Sequence, residues 1–134
     1  MKLDDQRLSS HHWLLDGVHQ GLREIRATEL ASLPVEGDDG KLERLLVATD
    51  VGLVEGATTG QFIDGFPGMT LDLRLWRDVR LSARVRVDPQ HGTHTARVIL
   101  DLDGRTVSSW SNSTVECAAE FAAAAIAQAA ASGR

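Results

Sequence analysis

Apolar residues at Leu14, Val18, Leu22 and Ile25, continued by Leu30 and Leu33, recur at the three-to-four-residue spacing of one helical stripe. Asp16, His19, Gln20, Arg23 and Glu24 take the other side, so the pattern predicts an N-terminal helix over 9–33 that lies on something. Ser9 or Ser10 can cap its start and Pro34 stops it. Gly17 and Gly21, one turn apart, would let that helix approach its neighbour closely. Gly37-Asp38-Asp39-Gly40 then breaks the chain.

From 41 to 110 the apolar period changes to two. Leu42 to Thr49, a turn at Asp50-Val51-Gly52 and a return over Leu53 to Ala57 read as a β-hairpin. Residues Thr58 to Gly68 read as a glycine-rich connection that carries Phe62, Ile63 and Phe66, and loops of that length are uncommon without a role. Leu71, Leu73 and Leu75 then alternate with Asp72, Arg74 and Trp76. Val79, Leu81, Ala83, Val85 and Val87 alternate with Arg80, Ser82, Arg84, Arg86 and Asp88, and Ala96, Val98, Leu100 and Leu102 with Arg97, Ile99, Asp101 and Asp103. Asp103-Gly104 is a two-residue hairpin signal, with a last strand from Arg105 to Trp110. The connections are too short for crossovers, so the strands are antiparallel. Ser113-Thr114-Val115-Glu116 is a capping box that opens a C-terminal helix over 113–132. Its small-residue face, Val115, Ala118, Ala119, Ala122, Ile126 and Ala129, widened by Phe121 and Ala125, permits close approach to a sheet or to a second copy.

The pattern defines an α+β chain whose inward strand residues share one interior, and its 134 residues fit a single domain over 1–134. One cysteine, Cys117, allows no intrachain disulfide and fits a reducing compartment. The start of the chain turns acidic where a secretory leader needs an apolar segment, so a cytoplasmic location is expected. Net charge −5 argues against nucleic acid and anionic lipid as partners. The acidity is uneven: residues 1–70 carry six Lys/Arg against twelve Asp/Glu, whereas 71–110 carry seven arginines against five aspartates.

The run Glu43-Arg44-Leu45-Leu46-Val47-Ala48-Thr49-Asp50-Val51-Gly52-Leu53-Val54-Glu55-Gly56 resembles the opening hairpin of bacterial pleckstrin-homology-like (PH-like) domains, where a strand ends in Thr-Asp and a Gly-Leu strand returns. Leu75-Trp76-Arg77-Asp78-Val79 is similar to their aromatic-polar-Asp-Val step, and the capped last helix to the one that plugs their barrel. The resemblance covers residues 41–132 and implies an antiparallel sheet curled into a partly open barrel, with a capping C-terminal helix and an added N-terminal helix. It implies a non-catalytic interaction module without cofactors. Asp50-Val51-Gly52 lacks the basic residues with which phosphoinositide-binding members hold phosphates, so membrane lipid is not the implied partner. The Trp common in the family's last helix is absent, with Phe121 the only aromatic there.

Candidate chemistry is sparse. His12, Asp16 and His19 fall on one helical face with ligand-competent side chains, although such faces are usually solvated surface and no metal is assigned. Arg74, Arg84, Arg86 and Arg97 project from the outward side of the strands with Trp76 beside them, a cationic stacking surface or a solvated face balanced by Asp72, Asp88, Asp101 and Asp103. Phe62, Ile63 and Phe66 either tuck back to close a sheet edge or stand out as an anchor for a partner. Cys117 reads as a small core residue in the first turns of the last helix. Two functions follow: an interaction domain binding a protein partner, or itself as a homodimer through the added helix or alanine-rich face, and, alternatively, a small enzyme or ligand carrier. The second would have a pocket between the first helix and the sheet, with His12, His19 or Arg74 as polar handles.

Overall fold

The computed structural model describes residues 3, 12–36, 42–64, 66–108 and 112–132. Helix α1 spans His12–Glu24 and is followed by β1 (Glu29–Glu36), β2 (Leu42–Thr49), β3 (Gly52–Ile63) and β4 (Phe66–Leu75). A 3-10 turn at Trp76–Asp78 leads into β5 (Leu81–Gln90), β6 (Thr93–Leu102) and β7 (Arg105–Ser108), and α2 spans Asn112–Ser132. Strands β1 to β4 form one antiparallel sheet in chain order and β5 to β7 a second. The chain is therefore α+β with two antiparallel sheets and two helices, and among the described residues the strands do not close into a barrel.

The helix expected over 9–33 ends at Glu24. Arg26 takes a left-handed φ of 54°, its N–H bonding to the Arg23 carbonyl at 3.1 Å while the Ala27 N–H reaches back to Leu22 at 3.0 Å. Those two bonds satisfy the Arg23 and Leu22 carbonyls at the end of the helix, with arginine where glycine is preferred. Residues 29–36 run instead as β1, which pairs with β2 from Glu29↔Thr49 to Glu36↔Leu42. Pro34 is tolerated because β1 is an edge strand and its missing N–H need not serve a ladder. Nor is Thr58–Gly68 a loop: β3 and β4 continue to the pair Ile63↔Phe66, and Asp64 at φ 53° makes the turn. The proposed helix cap at Ser9 or Ser10, the break at 37–40, the end of the last strand at Trp110, the capping-box side chains and the Cys117 side chain lie outside the described residues.

Two cores replace the single interior expected. Every residue from Leu45 to Thr49 is buried, because β2 is covered on both faces and has no polar side to alternate with. On one face Leu45, Val47 and Val54 meet Val18 and Leu22 of α1, and Leu3 joins them. On the other Leu46, Ala48 and Leu53 meet Ala31, Leu33, Trp76, Leu100 and Leu102, with Phe121, Ala122 and Ala125 of α2 between the sheets. Helix α1 thus lies on its own sheet, and the glycine pair seats it: a Cβ on Gly17 would stand 2.1 Å from Met69 Sδ, and one on Gly21 2.6 Å from Leu71 Cδ2. The face of α2 is turned from the one expected, with Ala119 exposed and Ile126 half-exposed.

Candidate interaction surface

The corner between the sheets is built on a threonine. The Thr49 hydroxyl donates to the Gly52 carbonyl at 2.7 Å and accepts from the N–H groups of Gly52 at 3.0 Å and Val51 at 3.2 Å, closing the β2–β3 turn. Asp50 ties that turn to the start of β1, its Oδ1 accepting the Thr28 N–H at 2.7 Å. Trp76, expected on the outward face as a contact residue, is only 2% exposed, and its indole N–H donates to the Thr49 carbonyl at 2.8 Å. The alternation of β4 ends at the 3-10 turn, which swings the indole inward. Gly52 is obligatory here: a Cβ would meet the Arg74 carbonyl oxygen at 2.1 Å.

Arg74 sits at the same corner, half-buried, paired with Asp103 across the two sheets. The Asp103 carboxylate also accepts the Arg80 N–H at 2.9 Å, while its own N–H donates to the Arg80 carbonyl at 2.9 Å. The Arg80 amide chiefly, helped by the Arg74 guanidinium against a partial loss of hydration, holds the Asp103 carboxyl below its ordinary value of 3.8. Asp103 and Gly104, at φ 53° and 85°, form the two-residue turn that the sequence announces. These contacts fix the direction in which β5 leaves the corner.

From there β5 and β6 run as a hairpin arm of ten cross-strand pairs, Leu81↔Leu102 to Gln90↔Thr93. Leu100 and Leu102 at the root are buried in the core, whereas Val85 and Val87 further out are 58% and 55% exposed. These two valines were expected inside. Beyond its leucine root the arm reaches past the buried core, so its outer apolar side chains are left exposed. On the opposite face Arg84 and Arg86 are exposed, Arg86 pairing with Asp88 at 3.1 Å. A groove there is lined by Ser82, Ala83, Arg84, Ile99, Asp101 and Thr106.

The other candidates are scattered. Phe62, Ile63 and Phe66 sit at the β3–β4 tip, paired Phe62↔Pro67 and Ile63↔Phe66, and their side chains lie outside the described residues, as does that of Arg97. Asp16 and His19 are exposed on α1, and the His12 side chain is outside the description. Among the described residues no three His, Cys, Asp or Glu side chains come together to hold a metal ion, and no helix is long and apolar enough to cross a membrane. No family model, curated protein or solved structure matches this chain.

Proposed function

We propose that this chain is a non-catalytic, PH-like interaction domain that binds a protein partner through the β5–β6 arm. The observation that carries the reading is the exposure of Val85 and Val87 on a strand whose outer edge has no neighbour among the described residues, apolar surface and an unpaired main chain together. The PH-like part is supported by the succession of antiparallel strands β2 to β7 followed by a helix whose Phe121, Ala122 and Ala125 seal the space between the sheets. Among the described residues the alternative of a ligand pocket beneath α1 draws no support, because Val18, Leu22, Leu45, Val47 and Val54 pack together there. A photo-crosslinking amino acid placed at position 87 in cells tests the reading. Discrete protein adducts that vanish when the probe is moved to Asp16 on α1 are expected, and the absence of any adduct from position 87 refutes it.

A further inference from the structure

We propose that the partner for the β5 edge is a second copy of this chain, paired antiparallel through β5 in a register centred on Val87, so that the two three-stranded sheets become one continuous sheet. The inference rests on the interaction-domain reading and specifies its surface. Its first support is the direction of the main chain. In a hairpin closed by the two-residue turn His91-Gly92, the flanking pair Gln90↔Thr93 is hydrogen-bonded, so even-numbered residues of β5 bond to β6. The bond from the Asp103 N–H to the Arg80 carbonyl shows the same parity at the other end. Odd-numbered residues therefore turn their N–H and C=O groups to the edge that no described strand covers, and Val85 and Val87 are among them. Pro89, the residue without an N–H, is on that side too, where it breaks no bond to β6.

Charge selects the register. A two-fold axis through the sheet leaves each face on its own side, so residues of equal parity must meet. Centred on Val85, Arg84 would face the partner's Arg86 at both ends, and centred on Arg86, two arginines would meet on the axis. Centred on Val87, Arg86 faces the partner's Asp88 twice, Val87 faces its own copy, and Val85 faces the partner's Pro89. In that arrangement Val87 exchanges both main-chain hydrogen bonds with the partner's Val87, and Val85 donates one to the carbonyl of the partner's Pro89. The Arg86–Asp88 pair, now between neighbours on one strand at 3.1 Å, is re-formed across the interface. The β6 edge offers no such match, since centring on Ala96 puts Arg97 opposite Thr95. Pro89 also ends the pairing one step beyond the axis, which keeps the contact small and reversible instead of open to continued strand addition.

Light scattering and sedimentation of the full chain across micromolar to millimolar concentration test this. The mass should rise from 14.5 kDa toward twice that value. Asp88→Arg or Arg86→Asp alone should weaken association by about tenfold or more, and the two together should restore it, because unlike charges then meet again. In a Cys117→Ala background, Val87→Cys should form a crosslinked dimer on mild oxidation and Val85→Cys should not. A chain that stays monomeric overturns the proposal, as does a dimer that ignores the charge swaps or crosslinks equally through position 85. If position 87 still crosslinks to a different protein while the isolated chain is monomeric, the interaction-domain reading stands and the self-association is refuted.

Discussion

Replacing Thr49 by valine keeps the shape of a buried side chain and removes one hydroxyl, so it isolates what that hydroxyl does. Three backbone groups lose a partner: the Gly52 carbonyl and the N–H groups of Gly52 and Val51. The Gly52 bonds are buried and the Val51 bond partly so, and an unsatisfied buried backbone group costs about 1–3 kcal/mol. Allowing for water reaching Val51, the expected loss is about 2–4 kcal/mol. Thr49→Ser is the control: it retains the hydroxyl and gives up a methyl group, worth about 1 kcal/mol. Urea unfolding followed by tryptophan fluorescence reads the difference. With a denaturant slope of roughly 1.5 kcal/mol per molar, the valine variant should unfold roughly 1–3 M earlier than the parent and the serine variant well under 1 M earlier. A valine variant as stable as the serine variant would show that the turn does not depend on this hydroxyl.

Gly52→Ala should destabilise by about 3 kcal/mol or more, since a methyl group 2.1 Å from the Arg74 carbonyl forces backbone apart, and thermal unfolding by circular dichroism measures it. Arg26→Gly should raise stability by about 1 kcal/mol in the same assay, because the left-handed turn after α1 strains any residue with a Cβ. Phe121→Ala, at a fully buried position, should cost about 3–5 kcal/mol by urea titration. Asp103 has a folded pKa below its ordinary 3.8, so its contribution is full above that value and is lost as pH falls through the lowered one. Acid titration of Asp103→Asn should accordingly show a smaller drop in stability below pH 3.8 than the parent, and equal drops would discount the Arg80 and Arg74 contacts.

The hairpins of β2–β3 and β5–β7 and the helix α2 are legible in sequence because turn residues and period-two patterns are local properties. Strand β1 was hidden, since Leu30 and Leu33 extend the helical spacing of Leu14 to Ile25 and Pro34 reads as a stop unless the strand is known to lie at an edge. Glycines at 60, 65 and 68 disguised the continuation of β3 and β4 as a loop. The alternation of β4 points Trp76 outward on paper, yet that alternation ends one residue earlier, at the 3-10 turn. Of the candidate contacts, Arg84 and Arg86 do face solvent, while the exposure of Val85 and Val87 depends on how far the core reaches beneath the arm, which no local pattern carries.

Strand β2 belongs to two cores at once, its side chains alternating between the layer under α1 and the layer under α2. Neither helix can detach without baring one side of the same strand, so the loss of one weakens the footing of the other. Amide protons of residues 45–48 should therefore exchange with solvent only when the whole molecule opens, and those near the tip of the β5–β6 arm long before. The molecule thus keeps its most persistent structure in the middle and carries the surface proposed for a partner where opening costs least.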